Sequence, residues 1–258
     1  MKKNDWNPAQ YLKFDKERLQ PSIDLVARID YIDPAKIIDI GCGPGNSTQV
    51  LLNRWPGSKI VGADNSQAMI KRAKEDYPEQ KWILFDAGID LIDDKFDIVF
   101  SNATIQWIPD HGSLIQRFSE MLIDNGVLAV QLPLFFEMPL GRSISVISKN
   151  GKWSAATNDV DNLFTINDQS FYYDNLARYF RKIDIWTTDY YHVMDSQSSI
   201  LAMIRSTGLK PYLERISDDN DKKSFEDHVM NGIKNDYPLQ ANGKVLFPFK
   251  RLFFIAKK

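Results

Sequence analysis

The run Ile37-Ile38-Asp39-Ile40-Gly41-Cys42-Gly43-Pro44-Gly45-Asn46-Ser47 restricts this chain more than any other segment. An apolar stretch carrying one acid passes into glycines at alternate positions and then into a helix start. Glycine has no Cβ, so a ligand can lie against the backbone of such a turn. The first turn of the following helix offers unpaired N–H groups. The spacing is G-x-G-x-G, whereas G-x-G-x-x-G is the pattern that presents helix N–H groups to a pyrophosphate. A carboxylate beside a phosphate repels it, and beside an ammonium group attracts it. Asp39 therefore favours a cationic ligand, and S-adenosylmethionine has an ammonium, a sulfonium and no phosphate. Taken alone, such a turn also serves as an ordinary strand-to-helix connection, so the segments that follow carry weight.

Lys59–Ala63 reads as a second buried strand ending in Asp64, which lies 19 residues after Gly45. That is near the roughly 20-residue offset at which an acid meets ribose hydroxyls. Asn65-Ser66 caps a helix from about Gln67. A third strand, Lys81–Phe85, ends in Asp86, an acceptor for an adenine amino group, and a fourth, from Phe96, ends in Ser101-Asn102. Four strands thus finish in a polar residue at the carboxyl edge, where open α/β sheets bind ligands. Strands near 36–40, 59–63, 81–85, 96–101 and 126–132 alternate with helices near 46–54, 67–76 and 112–122. The first strands are continuous apolar runs, as expected when helices cover both faces of a parallel sheet.

Composition narrows the class. A chain of 258 residues with 43% hydrophobic content supports a sizeable core. A net charge of −2 supplies no field for nucleic acid or anionic membrane. The lone Cys42 excludes an internal disulfide framework, fits a reducing compartment and reads as a small filler of the glycine turn. The histidines at 111, 192 and 228 lack metal-ligand spacing, so no metal is expected. No signal peptide or spanning segment is visible, and the expectation is a soluble cytoplasmic protein.

The remaining organisation is less regular. Residues 1–33 read as helical, with Ile23, Val26, Ala27 and Ile29 on one apolar face. Residues 134–180 read as helices and loops, 182–193 as a strand and 196–237 as helical with Ser196 as a cap. A last strand spans 244–256 with Pro248 in it. Asp218–Lys223 reads as a solvated loop. Together these describe one domain with a cofactor core at 36–132, an N-terminal helical lid, helical cap insertions at 134–180 and 196–237, and two final strands.

The Asp39–Gly45 turn, Asp64, Asp86 and the strand order resemble the class I S-adenosylmethionine-dependent methyltransferases. The resemblance implies an α/β, Rossmann-like, doubly wound and mostly parallel sheet of seven strands, the last antiparallel, with a helical cap insertion. It implies that Asp39, Gly41 and Gly43 hold the methionyl part of the cofactor, with Asp64 on the ribose and Asp86 with Ala87 on the adenine. Ser101 and Asn102 are implied to line the cavity beside the methyl donor. Tyr11, Arg18, Cys42, Asn65 and Met69 complete the cofactor set, and S-adenosylhomocysteine is the implied product.

Further motifs resemble the trans-aconitate methyltransferases: Asp5-Trp6-Asn7-Pro8-x-x-Tyr11-Leu12-x-Phe14, Ser101-Asn102-Ala103-x-Ile105-Gln106-Trp107-x-Pro109-Asp110-His111, Asp184-Ile185-Trp186-x-Thr188-x-Tyr190-Tyr191-His192 and Arg251-Leu252-Phe253. That implies esterification of one carboxylate of a small tricarboxylic acid. The stretch Leu134–Leu140 is more apolar than in that family, and Arg205 stands where a neutral residue is usual. A carboxylate acceptor is already ionised at pH 7 and needs no general base. It needs orientation in a dry cavity and donors for its remaining carboxylates. Candidates for that grip are Arg251, Arg205, His192, Tyr190, Tyr191 and Trp107, with Tyr191, His192 and Arg251 nearest to a catalytic role. Strand alternation sends Tyr190 and Tyr191 to opposite faces, so at most one reaches the acceptor. Trp6, Tyr11 and Trp107 are candidates for an apolar lid. Two alternatives stand beside this reading: another small acceptor with a hydroxyl or amine, and a non-catalytic protein that binds the cofactor. The expected partner is a small carboxylic acid, without nucleic acid or membrane, for a monomer or at most a dimer.

Overall fold

A computed structural model describes residues 15–258, with side chains from residue 19 onward. Trp6, Tyr11 and the side chain of Arg18 lie outside the described residues. Contacts divide the chain into two compact units. Among the described residues, one comprises 15–132 together with Thr165–Thr187 and Leu252–Lys258; the other comprises Pro133–Phe164 and Thr188–Arg251.

The sheet has seven strands and is mixed: β1 Lys36–Ile40, β2 Lys59–Asp64, β3 Lys81–Leu84, β4 Phe96–Asn102, β5 Leu122–Pro133, β6 Lys182–Met194 and β7 Val245–Lys257. Their spatial order is β3-β2-β1-β4-β5-β7-β6. The pairs β1–β2, β2–β3, β1–β4 and β4–β5 are parallel. The apolar runs of β1 and β2 are buried on both faces, as continuous hydrophobic strands require.

Between the strands lie α2 Asn46–Arg54 and α3 Gln67–Asp76, with the limits expected, and α4 His111–Met121; α1 Asp15–Arg28 precedes β1. Ser66 caps α3 by accepting the Met69 N–H. Helix α1 stops short of the expected Asp33. It buries Ser22, Leu25, Val26 and Ile29, while Ile23 is 40% exposed and Ala27 lies outside as well. The buried set follows the i, i+3, i+4, i+7 spacing, and the expected face was rotated by about one residue. Strand β5 begins at Leu122, earlier than expected. Leu122 pairs with Phe96 and Val127 with Ile98, so Ile123–Gly126, with Asn125 at φ 63, bulges out between two paired positions. Helix α7, Gln169–Leu176, belongs with the first unit, so the expected insertion 134–180 divides at Phe164.

In the second unit, α5 Pro139–Ser148, α8 Gln197–Ile204, α9 Lys210–Arg215 and α10 Asp219–Ile233 surround an aromatic core. Phe135 stacks on Phe164 at 5.7 Å, and Tyr212 packs on Phe164 and Phe225. Ser196 caps α8, as its sequence indicates. The acidic run at 218 is no loop. Asp218 caps α10 by accepting the Asp221 N–H at 3.0 Å, and Asp219 and Asp221 fill the first turn, where the helix dipole favours negative charge.

Candidate functional site

After β1 the chain moves to β2 and β3 on one side, then returns to lay β4 against the other side of β1. That reversal opens a crevice at the carboxyl ends of β1 and β4. Ile40 pairs with Ser101, so the glycine turn lies beside Asn102–Thr104. Gly41, Gly43 and Gly45 all have positive φ, at 74°, 55° and 102°. A Cβ on Gly41 would stand 2.0 Å from Thr104 Oγ1, and one on Gly45 would stand 2.8 Å from the Trp82 ring. A Cβ on Gly43 would meet no described residue within 4 Å. Among the described residues, side chains close around the outer glycines and none closes around the middle one.

Asp39 is fully buried in β1. Its Oδ2 accepts the hydroxyls of Ser47 at 2.6 Å and Thr48 at 2.7 Å, both on the first turn of α2. Its Oδ1 has no partner among the described residues. Burial pushes its pKa from 3.8 up to about 6 against the pull of the two hydroxyls, and the Asp64 charge adds to the rise. A buried carboxylate oxygen with no partner among the described residues, within the field of a second carboxylate, is the kind of acceptor an ammonium group requires. Asp64 takes the Gly43 N–H on Oδ2 at 2.9 Å and the Ser66 N–H on Oδ1 at 2.8 Å, so it ties the glycine turn to the start of α3. Asp86 Oδ1 accepts the Gly88 N–H at 3.0 Å, shaping the loop that carries buried Ala87.

The other expected cofactor residues divide. Asn102 is half-buried, and its Oδ1 has no partner among the described residues. Asn65 is exposed beside Asp64, and Met69 is buried on α3. Cys42 packs against Ile70, Ala73 and Trp82, and burial holds its thiol well above the usual range, so only its backbone faces the turn. Ser101 corrects the expectation of a cavity-lining side chain: it is fully buried and donates to the Ile40 carbonyl at 2.9 Å, bracing β4 against β1.

In the second unit, β6 alternates as a strand must. Tyr190 is half-buried and His192 buried, while Tyr191 is 63% exposed on the opposite face beside exposed Val193. Arg251, 4% exposed, lies with its guanidinium 4.5 Å from the Phe249 ring centre and 5.9 Å from that of Tyr190. His192 packs on Phe247 and Phe249. Arg251, Tyr190 and His192 thus form one cationic, aromatic cluster, from which the pleat separates Tyr191. Arg205 also departs from expectation: it is 58% exposed and paired to Glu226 at 3.2 Å.

The profile of a methyltransferase domain matches residues 38–130, which span the glycine turn and its strands. The trans-aconitate 2-methyltransferase of Variovorax paradoxus (strain S110) is 38% identical over 256 residues, covering 98% of each chain. That of Azoarcus sp. (strain BH72) is 37% identical over 251 residues, covering 97% of this chain and 98% of that one. The chain belongs to the trans-aconitate 2-methyltransferase family. Its fold matches Haemonchus contortus phosphoethanolamine N-methyltransferase 2, solved in complex with S-adenosyl-L-methionine, with a TM-score of 0.61. That match is at 17% identity and covers 97% of this chain and 56% of the other.

This family member is an S-adenosylmethionine-dependent methyltransferase. Among the described residues no helix is long and apolar enough to cross a membrane, and no group of three acidic, His or Cys side chains could hold a metal ion. Sequence reasoning overlooked the hydroxyls of Ser47 and Thr48 as holders of Asp39; their place on the first helical turn after the glycines was the available signal. It also overlooked Thr104, whose Oγ1 reaches the Gly41 carbonyl at 3.3 Å.

Proposed function

We propose that the protein transfers a methyl group to one carboxylate of trans-aconitate, giving a monomethyl ester. What supports this acceptor is the family relationship across nearly the whole chain, the second unit included, together with a buried arginine in an aromatic cluster. In this reading Asp39, Gly41 and Gly43 hold the methionyl end of the cofactor, and Asp64, with Asn65, holds the ribose. Asp86, Ala87 and Met69 frame the adenine, and Asn102 borders the reacting end. The orphan Oδ1 of Asp39 and the open face of Gly43 suit that cofactor. When bound, it supplies an electrophilic methyl group.

The chain's own task is then placement. The acceptor carboxylate is ionised at neutral pH, so no base is required. Orientation alone supplies about 7–11 kcal/mol in well-aligned reactions. Arg251, with Tyr190 and His192, is assigned to the acceptor's other carboxylates, where a guanidinium fork binds two oxygens at once. The near-neutral net charge and single cysteine suit a cytoplasmic enzyme acting on a small acid without nucleic acid.

Incubation with methyl-labelled cofactor and a panel of di- and tricarboxylates, phenols and amines tests this, with products identified by mass spectrometry. A trans-aconitate ester is expected, and label on a hydroxyl or amine alone overturns the acceptor assignment. Arg251→Ala is expected to raise the acceptor KM by roughly 10- to 150-fold, the loss of one charge-assisted contact, with the cofactor KM within twofold. Equal rises in both would remove Arg251 from the acceptor. Arg205→Ala, which loses an exposed ion pair, is expected to leave both constants within twofold.

A further inference from the structure

We propose that His111 is a positioning residue for the cofactor, bracing through the Ala103–Trp107 turn the glycine loop that receives it. His111 is 1% exposed at the start of α4, far from any role the methyl transfer assigns to it. Its Nε2 lies 2.8 Å from the Ile105 carbonyl oxygen, an acceptor, so that nitrogen carries the hydrogen. Its Nδ1 then accepts the Tyr172 hydroxyl at 2.7 Å, with the Asn167 amide at 3.3 Å. Burial lowers the pKa of the imidazole, which agrees with this neutral form.

The turn held in this way is under strain. Ala103 has φ 53, a left-handed conformation that a Cβ disfavours, and such outliers persist only where surrounding bonds enforce them. Those bonds are present. The Ala103 N–H donates to the Gln131 carbonyl at 2.9 Å, and the Gln106 side-chain amide donates to the Ala103 carbonyl at 2.8 Å. The Thr165 N–H donates to the Gln106 carbonyl at 2.8 Å. From the turn, the Thr104 hydroxyl is shared between the Asn102 carbonyl at 3.1 Å and the Gly41 carbonyl at 3.3 Å, and its side chain fills the space that a Gly41 Cβ would need. A continuous path therefore runs Tyr172, His111, Ile105, Thr104, Gly41. The segment 165–172 supplies three of its struts, namely Thr165, Asn167 and Tyr172. Release of the Ile105 carbonyl lets Ala103 relax, and Thr104 then withdraws from the loop against which the methionyl group rests.

The inference rests on the cofactor reading above, so the experiment includes a variant that tests that reading alone. Dissociation constants for S-adenosylhomocysteine are measured by calorimetry at a temperature where each variant is folded by circular dichroism. The set is the full-length wild type, Asp39→Asn, His111→Leu, His111→Gln and Tyr172→Phe. His111→Leu is expected to bind at least tenfold more weakly. His111→Gln, whose amide can still donate to the Ile105 carbonyl, should stay within threefold of wild type. Tyr172→Phe, with Asn167 still facing Nδ1, should lose about threefold. His111→Leu within twofold of wild type, even with a lower melting temperature, would reduce His111 to a purely structural residue and overturn the proposal. Should His111→Leu not fold, Tyr172→Phe decides: wild-type affinity there overturns it too. Failure of the wild type to bind, or unchanged affinity in Asp39→Asn, would instead overturn the cofactor reading.

Discussion

Asp39→Asn is expected to weaken S-adenosylhomocysteine binding by roughly 10- to 150-fold, the value of one charge-assisted hydrogen bond of about 1.5–3 kcal/mol. Shape is nearly unchanged, and the Ser47 and Thr48 hydroxyls can still donate to the amide oxygen. The loss therefore isolates the charge on Oδ1, which has no partner among the described residues. The pH dependence follows with a definite sign. Burial, with the Asp64 charge, raises the carboxyl from 3.8 to about 6, so between those values the folded protein holds a proton that the unfolded chain has released. Its contribution to stability is present in full below pH 4 and is lost as pH rises through 6, an effect of about 3 kcal/mol by linkage. An ammonium ligand favours the ionised form. Affinity should therefore fall about tenfold per unit as pH drops below 6, and ligand should raise the melting temperature more at pH 7 than at pH 5. The asparagine variant should be flat across that window; a flat wild-type profile would remove Asp39 from contact with the ligand's cation.

The glycines of the turn separate stability from binding. Gly41→Ala places a methyl group 2.0 Å from Thr104 Oγ1 and 2.5 Å from its Cβ, at φ +74, so the side chain cannot yield without its backbone. A loss of roughly 3–5 kcal/mol is expected, lowering Tm by roughly 10 °C. Gly43→Ala meets no atom of the described residues within 4 Å, at φ +55. There only the left-handed conformation costs, about 1–2 kcal/mol, yet the new methyl group enters the space assigned to the ligand. Thermal melts with homocysteine-nucleoside titrations check both. Gly43→Ala should stay folded and bind at least tenfold more weakly, and wild-type affinity in that variant would show that the ligand does not lie against this backbone.

The nucleotide half of the fold was legible because its signals are local. Apolar runs, alternate glycines and a Ser cap determine where strands end and helices begin, so α2 and α3 fall where expected. The positions of Asp64 and Asp86 were legible for the same reason, since one ends β2 and the other lies just past β3. What escaped depends on partners distant in sequence. Ser101 sits at a strand end like Asn102, but its hydroxyl is consumed by the Ile40 carbonyl, which no local pattern reveals. Arg205 looks like a free cation until Glu226, on another helix, neutralises it. Asp218 was misjudged because a charge run and a helix cap share a composition; only the following apolar spacing at Phe225, Val229 and Ile233 distinguishes them. His111 was dismissed for lacking metal spacing, and its partners Ile105 and Tyr172 show that its place is in a buried network.

The strand order has a consequence for biosynthesis. β7, the last of the seven strands in chain order, lies between β5 and β6, so the sheet is completed from within and not at its margin. A nascent chain that has emerged as far as Met194 carries β6 with no neighbour and β5 with a bare hydrogen-bonding edge, a state open to mispairing with other chains. Only when β7, 13 residues long, clears the ribosome can both be satisfied. A chain that stops short of β7 would therefore leave a gap in the middle of the sheet, and such a product should be a target for quality control.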